Sequence, residues 1–366
     1  MRILIVAERC SIFFGKYIDY MAEALIALGC TPFLLAGEEY SGRMANQIEV
    51  IYSNSFKKYA SNLDEHRYLE VFRIASKLGI YHVHFIFLFD PHRLFLALNS
   101  GAQSNRLIFT YSIFGLAEYA TKPIYARFHE EMLKMSSIRR VLIHSIFPEA
   151  MDGLSKDWSI LQSPKVSFVH DPLYDPPDAF KQSRFEARQS LDIPMEQKVF
   201  LYFGTYYRKK GADLLLSAAE ACQNLQNVCF LFAGSTKTAP HNFNRNALNL
   251  PNVRVDDRII DEDTAYKYFI AADLIIQPYR LEYQYDTSGV LVQSCLAKRP
   301  TLVPNITPFK ETVGAYRLGL TFDCENVDSL INAINQFYKE SFQLGDCQKY
   351  INTIESWKDL AQLILY

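Results

Sequence analysis

The chain lacks the features that mark secreted, membrane-spanning or metal-binding proteins. Its seven cysteines form no CxxC pair and have no metal-ligand spacing, so neither a disulfide framework nor a zinc site is predicted. No run of about eighteen apolar residues occurs, and the apolar start is too soon interrupted by charge to be a signal peptide. We therefore expect a cytoplasmic protein without a membrane span.

Neither sign of charge dominates the sequence. The 38 basic and 40 acidic residues give a formal net charge of −2, which leaves no electrostatic footprint for nucleic acid. Residues 121–140 mix basic and apolar side chains, but Glu130 and Glu131 dilute that charge, so we favour a solvated amphipathic helix over a membrane surface. Nucleic acid is thus excluded as a partner, and peripheral membrane contact is not indicated.

The length and apolar content predict two α/β domains. A chain of 366 residues, 49% of them hydrophobic, can build two separate cores. Short apolar runs alternate with helical patterns in both halves, as in parallel sheets covered by helices. The chain opens with a strand over 2–7, a helix over 17–28 and a strand over Pro32–Leu35. Further strands are predicted at Val83–Phe89, Arg106–Thr110, Val141–His144, Val199–Phe203, Val228–Ala233, Val253–Val255, Leu274–Gln277 and Thr301–Pro304.

A proline-rich segment after His170 separates the halves. Its prolines cannot continue a helix or a central strand, so it predicts an interdomain link, followed by a helix over Phe180–Leu191. The predicted organisation is an N-terminal domain over 1–172, a linker over 173–195, a second domain over 196–345 and a C-terminal helix that crosses back to the N-terminal domain over 346–366.

A cationic turn joins one predicted strand to the next helix. Gly204 ends the strand and Gly211 opens the helix, and a residue without Cβ lets the backbone approach a ligand. Arg208 and Lys210, together with the helix N-terminus, would meet phosphate charge. Taken alone, the segment is equally well explained as a solvated basic turn.

A second polar loop precedes the helix that begins at Ser288 and Gly289. Free amides at a helix start, with the Ser288 hydroxyl, would cradle a phosphate, although an N-cap serine is the simpler explanation of Ser288 alone. Gln293, one turn later, would bond a ribose hydroxyl or is an ordinary helix residue. Because ligands of doubly wound sheets lie at the carboxyl ends of the strands, the two elements together predict a nucleotide diphosphate.

These motifs resemble the nucleotide-sugar glycosyltransferases of family 4. The segments that carry the resemblance are Phe203–Gly204 with Lys210–Gly211, Asp256–Asp263, Ala271–Arg280 and Ser288–Ser294. A weaker likeness begins at residue 1, where Gly15 and Lys16 before a helix look like an acceptor-side loop. The resemblance implies an α/β GT-B fold, with two doubly wound parallel-sheet domains facing each other across a cleft, and retaining transfer of a sugar.

The resemblance also implies roles for individual residues. Arg208, Lys210 and Asp286 would be catalytic, with the two cations on the leaving diphosphate and Asp286 near the donor sugar. No cofactor or metal is implied, because those cations can replace a metal on the diphosphate of a UDP- or GDP-sugar. The implied donor-binding residues are Gly204, Thr205, Arg258, Ile260, Ser288, Gly289, Val290, Leu291 and Gln293. The implied acceptor-side residues, for a glycan or small molecule, are Gly15, Lys16, Ser112 and His170.

The sequence departs from the family pattern at several of these positions. Thr205 stands where the family has arginine, Tyr285 and Gln293 stand where it has paired glutamates, and Ser112 stands where relatives often have histidine. Arg208 would supply the missing charge, and Asp286 or Glu282 would contact the donor sugar. The departures leave open an alternative function, a catalytically degenerate GT-B protein that binds nucleotide sugar or glycan as a partner subunit. An epimerase acting on nucleotide sugars gains no specific motif.

Overall fold

The chain forms two compact units in a computed structural model. The structure describes residues 1–7, 10, 12–53, 66–88, 90–100, 106–113, 116, 123–147, 159–173, 181–241 and 243–366. Unit 1 comprises Met1–Tyr174 and Glu355–Tyr366, and unit 2 comprises Asp175–Ile354. Among the described residues, no helix combines the length and the apolar character needed to cross a membrane.

Unit 1 is built on a seven-stranded parallel sheet in the order β3-β2-β1-β4-β5-β6-β7. The strands are β1 (Arg2–Ala7), β2 (Thr31–Ala36), β3 (Glu49–Tyr52), β4 (His82–Phe85), β5 (Ile108–Ile113), β6 (Ile138–His144) and β7 (Val166–Val169). The helices are α1 (Ile12–Ala27), α2 (His66–Lys77), α3 (Pro91–Asn99) and α4 (Pro123–Leu133). The inner strands are almost continuously buried, as expected for a sheet with helices on both faces.

Unit 2 is built on a six-stranded parallel sheet in the order β10-β9-β8-β11-β12-β13. The strands are β8 (Lys198–Phe203), β9 (Val228–Ala233), β10 (Val253–Asp256), β11 (Leu274–Ile276), β12 (Thr301–Pro304) and β13 (Gly319–Phe322). The helices are α5 (Arg184–Ser190), α6 (Ala212–Ala221), α7 (Glu262–Ala271), α8 (Gly289–Leu296), α9 (Phe309–Tyr316), α10 (Val327–Lys339) and α11 (Cys347–Ile351).

The last helix, α12 (Trp357–Leu365), returns to unit 1 and packs on α1. A capping box between Ser356 and Asp359 begins it, and its apolar side joins the core beneath α1. The Trp357 ring stacks on Tyr20 with centroids 5.4 Å apart, and its indole nitrogen donates to the Leu173 carbonyl oxygen at 2.9 Å. The core of unit 1 therefore contains residues from both ends of the sequence.

The predicted α/β class, with two doubly wound parallel sheets, is confirmed, but some boundaries are wrong. The strand predicted over Val83–Phe89 ends at Phe85, because Phe87 has a φ of 101° and cannot continue the ladder; Phe89 lies outside the described residues. The helix predicted from Phe180 begins at Arg184, where Ser183 and Glu186 form a capping box. The linker predicted over 173–195 falls partly on 174–180, outside the described residues.

A buried ionic cluster joins α5 to the amino ends of β8 and β11. The Arg188 side chain is fully buried, and its guanidinium donates to Asp273 Oδ2 at 2.8 Å and to backbone carbonyls of Ala271 and Gln197. The same carboxylate oxygen accepts from the Val199 amide at 2.8 Å. The cluster thus fixes the starts of the two strands whose opposite ends carry the motifs.

We expect Asp273→Ala to lower the free energy of unfolding by about 3–5 kcal/mol, because it leaves a buried guanidinium without its counter-charge. Denaturant unfolding checks this. Glu23→Ala is the matched control: it removes the Arg43–Glu23 pair, whose side chains are 51% and 53% exposed, and should cost no more than about 1 kcal/mol. Equal, small losses in both variants would show that the cluster is dispensable.

Candidate functional site

The two predicted motifs follow neighbouring strands of unit 2 and touch each other. The first follows β8 and the second follows β11, so both lie at the carboxyl edge of the sheet. Gly211, with a φ of 67°, lies so close to Pro278 that a Cβ would overlap the Pro278 carbonyl oxygen. One step away, the Arg280 amide donates to the Lys209 carbonyl oxygen at 3.0 Å. The two loops therefore form one backbone assembly.

Ion pairs join the same two loops, and they engage two of the predicted catalytic residues. Lys209 Nζ lies 2.8 Å from Asp286 Oδ2 and 4.8 Å from the centroid of the Tyr283 ring. The Asp286 side chain is only 6% exposed, so water weakens this pair little, and the pair fixes the loop before α8 against the loop after β8. Arg208 pairs with Glu282, but both side chains are about half exposed, so breaking this pair costs little. Arg208 can therefore turn to a ligand more easily than Asp286 can.

Among the described residues of the two loops, Lys210 is the cation without an anionic partner. Its side chain is half-buried and lies along Gly204, where a Cβ would be 2.9 Å from Nζ. Within the described residues, the ammonium makes no hydrogen bond or ion pair. Burial, the largest cause, and the charge of Lys209 together lower the pKa of Lys210 to about 8, although the charge of Asp286 opposes the shift. A partly desolvated cation of this kind is suited to binding an anion.

The start of α8 presents backbone amides on an open side. A Cβ at Gly289 would meet nothing within 4 Å. The Ser288 hydroxyl does not cap the helix but donates to Gln277 Oε1 at 2.8 Å, within a buried network that includes Tyr279. The Leu291 amide is already bonded to the Ser288 carbonyl oxygen at 3.2 Å. Within the described part of the chain, the helix amides that remain for an anion are thus those of Gly289 and Val290.

Gln293, predicted to contact ribose, has a buried side-chain oxygen. Its Oε1 atom has no hydrogen-bond partner within the described residues. Gln293 follows Gly289 by one helical turn, so its side chain lies on the same side of α8 as the open amides. A ligand hydroxyl would satisfy this oxygen, since buried polar atoms are nearly always paired.

The remaining donor-side residues lie at the same edge of the sheet. Thr205 follows β8, and its carbonyl oxygen accepts from the Tyr202 hydroxyl at 3.0 Å. Arg258 follows β10, the edge strand, and its Nε lies 3.0 Å from Asp256 Oδ1. Ile259 beside it is 75% exposed, and Ile260 is partly buried against the core. This loop follows a strand that lies two positions from β8 in the sheet. Its exposed apolar residue, Ile259, can contact a ligand.

The acceptor-side residues lie in unit 1, with one correction. Gly15 and Lys16 do not precede the helix but lie inside α1, which begins at Ile12. Phe14, directly before Gly15, packs against the Phe87 ring with centroids 5.7 Å apart and is partly buried against the core. Ser112 is near the end of β5 and His170 follows β7, so β6 lies between them.

Sequence reasoning missed the residue on that intervening strand, His144. Its Nδ1 is bonded to the carboxylate of Asp171, and its side chain is fully buried. The available signal was a histidine that ends the apolar run Val141–Ile143, on the strand between the two predicted acceptor-side residues Ser112 and His170. Among the described residues, no group of three or more His, Cys, Asp or Glu side chains is placed to hold a metal ion.

One family model matches the part of the chain that contains this site. Residues 183–357, which include every donor-side residue above, match the family model of the group 1 glycosyl transferases. No curated protein sequence matches the chain.

Solved structures match the chain along almost its whole length. Sucrose-phosphate synthase from Thermosynechococcus elongatus has a TM-score of 0.75 at 15% identity, covering 99% of this chain and 96% of that one. HepE (Alr3699) of Anabaena in complex with UDP has a TM-score of 0.69 at 14% identity, covering 100% and 98%. A glycosyltransferase from Rickettsia africae has a TM-score of 0.65 at 16% identity, covering 100% and 93%. At these identities the likeness concerns the fold, and it confirms the predicted GT-B class.

We expect Gly211→Ala to lower the Tm of the protein and to lower its affinity for any ligand that contacts both loops. The added Cβ would overlap the Pro278 carbonyl oxygen, and alanine is strained at this positive φ. Thermal unfolding measures the effect. Gly314→Ala is the control, because a Cβ there meets nothing within 4 Å and alanine favours the helix α9. A Tm unchanged in Gly211→Ala would contradict the close approach of the loops.

Proposed function

We propose that the protein is a retaining, metal-independent glycosyltransferase of the hexosyltransferase type. It would move a sugar from a UDP- or GDP-sugar to a glycan or small-molecule acceptor. The observation that carries this proposal is the Lys210 ammonium, which is half-buried and unpaired within the described residues. It lies on a loop tied directly to the one that leads into the open start of α8. A cytoplasmic location, expected from the sequence, stays a prediction.

The residues of unit 2 would act mainly by electrostatic stabilisation of the leaving group. When the glycosidic bond to the diphosphate breaks, negative charge grows on the phosphate oxygens, and preorganised donors stabilise that charge. Lys210 and the Gly289 and Val290 amides would supply these donors. Arg208 would join them by leaving Glu282, because exposed ion pairs contribute about 1 kcal/mol or less. Gln293 would accept a hydrogen bond from a ribose hydroxyl.

The comparisons support the kind of donor without identifying it. The family match to group 1 glycosyl transferases covers the residues given these roles. Among the similar structures, HepE was solved with UDP, with UDP-glucose, and with UDP and glucose. A nucleotide-diphosphate sugar would satisfy the unpaired cation, the open amides and the unpartnered Gln293 oxygen together.

A catalytically degenerate sugar-nucleotide binder is the second candidate function. Its motivation is that Tyr285 and Gln293 occupy the positions of the paired glutamates, and that Asp286 is held by Lys209. Both candidates predict nucleotide binding, so turnover distinguishes them. Release of UDP from a UDP-sugar or of GDP from a GDP-sugar, with or without an added glycan acceptor, supports the enzyme. Binding of the nucleotide sugar without release of UDP or GDP under any of these conditions supports the degenerate protein.

Lys210→Ala should weaken UDP binding by roughly 10- to 150-fold, because a hydrogen bond to a charged group is worth about 1.5–3 kcal/mol. Isothermal titration calorimetry measures the loss. Lys339→Ala removes an equal charge from the exposed end of α10 in the same unit and should leave the affinity unchanged. Wild-type affinity in the Lys210 variant would contradict the proposed site.

The affinity for UDP should fall as the pH rises through about 8, the pKa of Lys210 in the free protein. Only the protonated amine attracts the diphosphate, and at pH 9 roughly one tenth of it is protonated, so affinity should drop roughly tenfold. Calorimetry between pH 7 and pH 9 measures this slope. Lys210→Arg keeps its charge throughout this range and should give a flat profile. The same slope in both proteins would assign the titration to another group.

A further inference from the structure

Two cysteines that are distant in the sequence lie side by side in unit 2. Cys295 is in the last turn of α8 and is 3% exposed, and Cys347 is the first residue of α11 and is 7% exposed. The two helices pack against each other, and the two thiols are hydrogen-bonded. Both cysteines are reduced in this structure. Sulfurs in such contact can be joined by a disulfide with little movement of the backbone.

Backbone contacts hold Cys347 in this position. The turn before it is fixed to the end of α9, because the Gly345 amide donates to the Arg317 carbonyl oxygen at 2.9 Å. A Cβ at Gly345 would overlap the Tyr316 carbonyl oxygen. Further along α11, the Tyr350 ring packs on the Tyr316 ring with centroids 5.4 Å apart. Since these contacts position the thiol before any bond forms, closing a disulfide requires little further ordering.

The two thiols differ in acidity. The hydrogen bond from the Cys295 thiol favours a thiolate at Cys347 and is the largest cause that lowers the pKa of Cys347. Burial and the charge of Asp346 oppose this shift, whereas the charge of Lys298 adds to it. The same hydrogen bond, together with burial, raises the pKa of Cys295. Because the thiolate is the form that oxidants attack, Cys347 is the sulfur that reacts first.

Cys347 lies close to the protein surface. Its neighbours Asp346 and Gln348 are exposed, and so is Lys298, whose charge acts on the thiol. The helix α11 has five residues and packs mainly on α8 and α9. Short elements at the periphery of a domain open locally more often than its central strands do. An oxidant close to water in size can therefore reach the Cys347 sulfur without unfolding of unit 2.

We propose that Cys295 and Cys347 form a redox site, in which a hydroperoxide converts the two thiols into a reversible disulfide between α8 and α11. The Cys347 thiolate attacks one oxygen of hydrogen peroxide, the O–O bond breaks, and hydroxide leaves as Cys347 becomes a sulfenic acid. The Cys295 sulfur then attacks the Cys347 sulfur and expels the sulfenic oxygen, which leaves as water with the Cys295 proton. The two electrons that the sulfurs lose reduce the peroxide.

Peptide mapping of the full chain after treatment with hydrogen peroxide tests the proposal. Trypsin places the two cysteines in separate peptides, 281–298 and 340–349, each with a single cysteine. We expect these peptides to be linked, with a mass lower by two hydrogens than their sum, and to separate again when dithiothreitol is added. Retention of both thiols after peroxide treatment overturns the proposal.

Cys222 and Cys229 are the internal control in the same digest. Both are buried, and burial raises the pKa of each thiol, so they should stay reduced while the peptides 281–298 and 340–349 become linked. A link between either control cysteine and Cys295 or Cys347 overturns the proposal, because it would show that oxidation follows unfolding of the chain.

Two serine variants test the order of the steps. In Cys295→Ser, the sulfenic acid at Cys347 has no thiol to react with and should be captured by dimedone. In Cys347→Ser, the Cys295 thiol should stay unlabelled. Equal labelling of the two variants contradicts the assignment of Cys347 as the sulfur that is oxidised first. The map of the unmodified chain requires neither variant, so it decides the proposal even if a variant does not fold. Neither cysteine is among the residues proposed to bind the donor, so failure here leaves the proposed transferase function intact.

Discussion

The contact between Gly211 and Pro278 is the constraint on which the candidate donor site depends. The backbones of two loops, separated by more than sixty residues of sequence, approach so closely there that no side chain fits between them. This contact sets the register in which the Lys209 carbonyl oxygen meets the Arg280 amide. It also brings the three consecutive cations 208–210 beside the acidic loop that leads into α8.

That register gives three adjacent basic residues three different roles. Arg208 is in an exposed pair that solvent weakens, Lys209 is in a pair with a buried carboxylate, and Lys210 is left without an anion among the described residues. The acidic residues of one loop thus neutralise part of the charge and leave the rest for a ligand. Because the three side chains have the same formal charge, the sequence does not show which of them can bind a ligand anion. Their ion-pair partners in the folded protein determine this.

The sequence predicts the parts of the fold that depend on local pattern, and it fails where distant residues decide. Buried strands such as β9 and β12 are continuous apolar runs and were predicted with their observed bounds. The edge strands β3, β7 and β13 are short and only partly buried, so their apolar signal is weak. In the site, the glycines and cations have a recognisable spacing, whereas the capture of Asp286 by Lys209 and of the Ser288 hydroxyl by Gln277 depends on tertiary contacts.

The return of α12 to unit 1 has a consequence for how the chain is made. The core beneath α1 includes Ile3 and Ile5 from the first strand and Leu360 and Ile364 from the last helix. Unit 2, by contrast, is one continuous segment over Asp175–Ile354. During synthesis from the N-terminus, unit 2 can complete its core before α12 has left the ribosome, whereas unit 1 cannot, because its core includes α12. Until then, the apolar surface of α1 stays exposed to chaperones and proteases, although its strands were translated first.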